Sequence, residues 1–242
     1  MTKSARQPSY QRILLKFSGE ALMGKKGFGI DCEVIEHIAR EIKPILDLKV
    51  QVGIIIGGGN FFRGAKFNQA KIDRITVDQM GMAATLINAL AMRDVFEHTG
   101  IATKVLSAVS VAGVAEVYDR SNALNLLKNN FVVIFAGGTG IPLVTTDTAL
   151  SLRGIELKAD ILLKATNVDG IYSADPAKDS TAKLFHHLSY QEILTKELAV
   201  MDMTAFYLCR DHNMRLRVFN MHKPGALLRV VLGADEGTLV ER

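Results

Sequence analysis

Gln51-Val52-Gly53-Ile54-Ile55-Ile56-Gly57-Gly58-Gly59-Asn60 passes from a short apolar run directly into three glycines. Such a run, rich in β-branched side chains and bounded by glycine, reads as a strand buried on both faces, the kind a parallel sheet contains. Outward from it, strand and helix patterns alternate along the chain. Residues 12–17 predict a first strand, and residues 32–47 a helix with Asp31 as its N-cap, because Val34, Ile35, Ile38, Ile42, Ile45 and Leu46 recur at helical spacing. A long helix is expected over 75–98, closed by Gly100. Strands follow over 101–106 and 131–135, with a helix near 122–128 between them. A helix starting near Asp147, a strand over 160–164 and a capping box formed by Ser189 and Glu192 come next. A helix over 203–211, a strand over 216–219 and a last helix with Pro224 in its first turn complete the pattern. The expected fold is α/β: one domain over 1–242, a three-layer sandwich whose mostly parallel central sheet is covered by helices on both faces. Residues 1–11 are expected to be a disordered N-terminal segment, and no internal repeat or low-complexity linker is present.

Composition narrows the function classes. The chain has 242 residues, 48% of them hydrophobic and 22% charged, enough for a sizeable core. Its formal net charge is +4, with Lys and Arg scattered and not blocked, which suits anionic substrates and argues against nucleic-acid binding. Cys32 and Cys209 are too few and too far apart for a disulfide framework or a zinc site, and both are expected as core thiols in a reducing cytosol. The first eleven residues lack the apolar run of a signal peptide. The longest uncharged run, 131–146, holds three glycines and a proline and is too short to span a bilayer. The expected location is the cytoplasm, without a membrane partner.

In an open parallel sheet, ligands collect beyond the carboxyl ends of the strands. That rule selects four loops: Ser18-Gly19-Glu20; 57–60 with Arg63 downstream; 137–140 leading to Thr145-Thr146-Asp147; and Ala165-Thr166-Asn167 before Asp169. Glycine lets backbone N–H groups approach an anion, and a helix starting just beyond adds partial positive charge. Two glycine-rich loops at equivalent strand ends therefore point to two phosphates or one polyphosphate. Lys16 and Lys164 stand near strand ends, where phosphoryl transfer needs cations, although each also fits a snorkelling edge residue. Arg63 fits either a bidentate phosphate clamp or a solvated surface arginine. Asp147 fits either an N-cap or a carboxylate set between the two lysines. The run Gly19-Glu20-Ala21-Leu22-Met23-Gly24-Lys25-Lys26 comes within one residue of a P-loop, but Lys26 stands where that motif needs Ser or Thr.

Between Gln79 and Met92 there is no charge, and Met80, Met82, Ala83, Ala84, Leu86, Ile87, Ala89 and Leu90 spread apolar surface over more than one helix face. A second apolar face needs a second partner, either another helix of the chain or the same helix of a second subunit, with Ala84 and Leu86 in that contact.

Six strings, ILLKFSGEAL, GIIIGGGNFFRG, GTGIPLVTTD, LLKATNVDGIYSADP, AVMDMTAF and RVFNMHKPGALLRV, occur in the order found in bacterial uridylate kinases. From about Arg12 to Glu241 the chain resembles that family of the amino acid kinase superfamily. The resemblance implies transfer of phosphate from ATP to UMP in pyrimidine nucleotide synthesis, with Mg2+ accompanying ATP and no metal ligands on the protein. It further implies a homohexamer built as a trimer of dimers, activated by GTP and inhibited by UTP. By the same resemblance Lys16, Asp147, Lys164 and Asp202 line the transfer site. ATP is implied to contact Lys16, Phe17, Ser18, Gly19, Gly59, Arg63, Thr166, Tyr172 and Asp175. UMP is implied to contact Gly58, Asp78 and the run Thr139, Gly140, Ile141, Pro142, Leu143, Val144, Thr145 and Thr146. Gly24, Lys25, Lys26, Gly27, Phe28 and Gly29, with Arg93, are implied in the GTP site. These roles suit the side chains: Asp78 and Asp175 can accept paired ribose hydroxyls, and Tyr172 offers an aromatic face. Two departures stand out: Ile141-Pro142-Leu143-Val144 replaces the usual Asn-Pro-Phe-Phe, and Lys104 and Phe131 stand where some members carry arginine. The alternatives are a sister kinase acting on a carboxylate or carbamate, and a nucleotide-sensing regulatory protein.

Overall fold

A computed structural model describes residues 7–62, 72–198 and 200–242. The first six residues of the expected disordered segment, and Arg63, lie outside the described residues. Among the described residues the chain runs β1 (Arg12–Phe17), a pair of 3-10 turns over Gly19–Lys26, α1 (Cys32–Asp47), β2 (Gln51–Ile56), α2 (Arg74–His98), β3 (Thr103–Ser107) and β4 (Glu116–Val117). It continues with α3 (Arg120–Lys128), β5 (Val132–Ala136), α4 (Thr146–Leu157), β6 (Ile161–Thr166), β7 (Ile171–Tyr172), β8 (Leu184–Phe185) and β9 (His187–Ser189). The last elements are α5 (Tyr190–Thr195), α6 (Met203–Asp211), β10 (Leu216–Asn220), α7 (Ala226–Val231) and β11 (Thr238–Glu241).

The main sheet has the order β4-β3-β5-β2-β1-β6-β10-β11-β9, and every neighbouring pair is parallel except β10 with β11. Alternation along each strand divides the core into two layers. Ile13, Leu15 and Phe17 of β1 pack with α1, α2 and α7 on one face. Leu14 belongs to the other layer, with Leu150 of α4, Leu127 of α3, Tyr190 of α5 and Phe206 of α6. The chain thus forms the three-layer sandwich expected of it. Helix starts follow capping chemistry: Asp31 accepts from Glu33 N, Asp202 from Ala205 N, and both halves of the Ser189–Glu192 capping box are made. No described helix is long and apolar enough to cross a membrane.

Several expectations need correction. Residues 7–11 are not disordered: Ser9 N donates to Val231 O, Tyr10 packs on the core, and Gln11 N donates to Asp160 Oδ2 at 2.6 Å. Cys209 is buried, but Cys32 is exposed, because as the first residue of α1 it falls outside that helix's apolar stripe. α4 starts one residue before Asp147 and is capped by Thr145, whose Oγ1 accepts from Asp147 N at 3.0 Å. Pro224 precedes the N-cap of α7, which is Gly225. On α2, Ala84 and Leu86 face the chain's own core, while Ile87 is 49% exposed and Ala83 is exposed beside it. The outward apolar face therefore runs along Ala83 and Ile87, four residues apart on one side of the helix, and excludes Ala84 and Leu86.

Candidate active site

The sheet register alone places two cations together. In the parallel β1–β6 pair, Lys16 stands directly opposite Lys164, and both follow the parity of Leu14 and Leu162, so both side chains leave the same face of the sheet. Their side chains are only 10% and 14% exposed. Asp147, in the first turn of α4, sits between them: Lys16 Nζ lies 3.0 Å from Oδ1 and Lys164 Nζ 2.6 Å from Oδ2. Oδ1 is buried, and the Lys16 ammonium 3.0 Å away is what compensates it. Lys164 Nζ also donates to Val200 O at 2.5 Å. Burial on its own drives the Asp147 carboxyl pKa up, but Lys16 and Lys164 together outweigh it and hold the group below its ordinary value. Burial lowers the Lys164 pKa, with Asp147 and Asp202 acting against it. The three groups together carry one net positive charge in a poorly solvated position, an arrangement that favours an anion.

Asp202 joins this cluster through the helix starts. Thr145 Oγ1 donates to its Oδ2, and Thr148 Oγ1 donates to Oδ1 at 2.9 Å, so the carboxylate that caps α6 also pins the first turn of α4.

A cleft opens on each side of the cluster. One, of about 250 Å³, is lined by Gly58, Asp78, Thr139, Ile141, Val144, Thr145 and Thr146, all assigned to UMP by the resemblance. The other, of about 590 Å³, is lined by Lys164, Thr166, Tyr172 and Asp175. The glycine loops approach each other closely at the sheet's end. A Cβ on Gly19 would lie 2.4 Å from Gly59 N, and one on Gly58 would lie 2.7 Å from Gly81 O of α2, so neither position has room for a side chain. Ser18 caps the 3-10 turns by accepting from Ala21 N.

Not every assigned residue falls where the resemblance puts it. Gly59 lines the smaller cleft, with Gly58, and not the larger one. The Phe17 side chain points into the core on the opposite face of the sheet. Gly140, Pro142 and Leu143 do not line the cleft with their neighbours, but Leu143 N donates to Asp78 Oδ2 at 2.9 Å with Leu143 at φ +72°. The proposed GTP residues separate: Arg93 lines a cavity with Lys104, and none of residues 24–29 does. Arg74 was missed. It lines the smaller cleft and donates to Asp78 Oδ1 at 3.0 Å, and its i,i+4 spacing from Asp78 at a helix start was the available signal.

Paired glycine loops, two buried lysines and two adjoining clefts define an α/β protein suited to anionic ligands such as phosphates. A model of the amino acid kinase family matches residues 11–220. A uridylate kinase of Coxiella burnetii is 59% identical over 98% of this chain and 97% of the relative, and one of Ectopseudomonas mendocina is 58% identical over 98% and 96%. A solved UMP kinase of Bacillus anthracis superposes with a TM-score of 0.93 at 40% identity, covering 96% of each chain. The chain belongs to the amino acid kinase family, and within it to the uridylate kinases.

Because the Asp147 pKa is depressed, the stability it contributes is present above the ordinary carboxylate value and is lost as pH falls through its lower folded value. Asp147→Asn should lower stability at neutral pH by about 3–5 kcal/mol, the scale for leaving buried charge uncompensated, and should flatten the acid limb of unfolding. Denaturant midpoints measured from neutral to acid pH check this, and coincident curves for the two proteins would count against the cluster.

Proposed function

We propose that the chain transfers the γ-phosphoryl group of ATP to the phosphate of UMP, giving UDP and ADP for pyrimidine nucleotide synthesis in the cytoplasm. The observation that carries this reading is the Lys16–Asp147–Lys164 cluster beside two clefts, one lined by Lys164 and the other by Thr145 and Thr146 next to Asp147. Phosphoryl transfer asks little covalent chemistry of the protein and much electrostatic stabilisation. UMP presents a phosphate oxygen that is already ionised at neutral pH, since its second pKa is about 6, so the acceptor needs no general base. Lys16 and Lys164 are the groups that meet the charge developing on the transferred phosphoryl oxygens. Asp147 fixes both ammonium groups, one carboxylate oxygen to each, and Asp202 holds the helix that carries Asp147. The N–H groups of Gly19, Gly58 and Gly59, close together at the strand ends, supply further donors, while Gly57 N holds its turn to β1 by donating to Phe17 O at 3.0 Å. Asp78 takes the UMP ribose, and Asp175 and Tyr172 take the adenosine.

Magnesium enters the proposal only with the phosphates of ATP. Among the described residues no three metal-ligating side chains gather, and both carboxylates of the cluster are already engaged, Asp147 by lysines and Asp202 by threonine hydroxyls and Ala205 N. Regulation by GTP and UTP belongs to the same reading, the Arg93–Lys104 cavity supporting it with two cations. So does a hexamer of three dimers, supported by the exposed apolar face of α2.

Lys16→Met and Lys164→Met should each lower turnover about 10²-fold or more while leaving the fold intact, as read by coupled ADP release. A folded double variant with ordinary activity would end the proposal, and a panel with UMP, CMP, acetate and carbamate as acceptors separates it from a sister kinase. Asp78→Asn should raise the KM for UMP and leave that for ATP nearly unchanged; equal effects on both would mean the clefts are wrongly assigned. Ile87→Glu should dissociate the assembly in sedimentation without unfolding the subunit, because it introduces charge into an apolar contact. A fully active wild-type monomer at micromolar concentration would refute that interface.

A further inference from the structure

Asn60 and Asn88 are almost wholly buried, at 2% and 0% exposure, beside a layer built mainly from apolar side chains. Their amides form a reciprocal pair: Asn60 Nδ2 donates to Asn88 Oδ1 and Asn88 Nδ2 to Asn60 Oδ1, each at 2.8 Å. The second N–H of each amide reaches a different backbone segment. Asn88 Nδ2 donates to Gly57 O at 2.7 Å, and Asn60 Nδ2 donates to Gly29 O at 2.9 Å. Gly29 N returns a bond to Asn60 O at 3.2 Å. Both amides therefore spend all their donors, and the cost of burying them is met only while the pair is intact.

The pair joins three parts of the chain that sequence separates: the glycine turn after β2, the segment at Gly29 and the middle of α2. One turn away on the same face of α2, Thr85 Oγ1 accepts from Gly137 N of the second glycine loop at 2.7 Å. Just N-terminal to these two anchors on α2, Gly81 and Ala84 meet Gly58 so closely that it has no room for a Cβ. A single stretch of helix thus sets the gap between both glycine loops across the smaller cleft.

We propose that Asn88 is a positioning residue: through its bond to Gly57 O and its pair with Asn60 it fixes the turn 57–59 at the height where the Gly58 and Gly59 amides meet the acceptor's phosphate. This rests on the phosphoryl-transfer reading of the smaller cleft. Asn88 itself does not line that cleft, so its effect passes through the turn. Thr85 holds the other loop independently, so the two loops respond separately.

The test combines kinetics with hydrogen exchange, because exchange is read without any assumption about activity. Asn88→Leu should speed amide exchange over peptides covering 57–60 and leave 137–139 unchanged. It should also lower kcat/KM for UMP about 10- to 100-fold, mainly through KM, with the KM for ATP within about twofold, the scale on which misplaced binding groups act. Ile45→Ala, in the core of α1, serves as a control for stability loss and should change neither KM. If Asn88→Leu does not fold, Asn88→Ser, which keeps a short hydroxyl donor, is read for the same pattern. Unchanged exchange at 57–60 would overturn the proposal whatever the activity, and faster exchange with an unchanged KM for UMP would overturn the positioning role. A wild type with no UMP kinase activity but with the exchange pattern would instead reject the functional reading and keep the structural link.

Discussion

Two ammonium groups on facing residues of neighbouring strands repel, and in a poorly solvated position that repulsion is not screened away. Lys16 and Lys164 are in that situation because the parallel register of β1 and β6 puts them level and on the same face. Asp147 makes the arrangement tolerable, one oxygen to each lysine. Its own burial is tolerable only for the same reason, since desolvation would otherwise favour the neutral acid. Each member is thus conditional on the other two. The arrangement then constrains the fold around it: α4 must start just past the sheet's end, Thr145 must cap it, and Asp202 must hold it to α6. Ala149, Leu150 and Leu157 seat that helix on the sheet by ordinary apolar packing. The chemistry of the site and the docking of α4 are one problem with one solution.

Much of this was legible in the chain before its structure. Long apolar runs such as 51–56 and periodic stretches such as 32–47 carry enough repeats of one pattern to identify an element and its burial. β7, β8 and β9, at two or three residues, and the antiparallel β11 carry no such pattern, and they went unread because pairing and not periodicity makes them strands. The two lysines were conspicuous as cations within apolar strands. Their register and their bonds to Asp147 were not, because register is a property of the folded sheet. Asp147 itself was ambiguous for a physical reason: a carboxylate two residues past a threonine suits a cap and a site equally well, until Thr145 is seen to make the cap. Asn60 and Asn88 had no signal at all. An asparagine in a glycine turn and another within a helix look ordinary until they are found exchanging hydrogen bonds.

α2 shows how one element can serve two demands that its sequence states only jointly. Its uncharged stretch over 79–92 does not divide by residue type, since alanine occurs on both faces, Ala83 exposed and Ala84 and Ala89 buried. Packing divides it: Ala84, Leu86 and Ala89 enter the core, Thr85 and Asn88 hold the two glycine loops, and Ala83 with Ile87 is left outward. The outward face and the loop-holding face belong to the same rigid turns, so a contact on one is mechanically a contact on the other. A helix held by a dense core does not deform continuously, and a load at Ile87 is passed on as a small displacement of the whole segment. The loops anchored at Thr85 and Asn88 are thereby tied to α2, and the turn after β2 is tied to β1 as well, through Gly57 N donating to Phe17 O. The exposed face at Ile87 and the anchors of both glycine loops thus share the same turns of α2, so the segment that offers the outward surface is also the one that sets the walls of the smaller cleft.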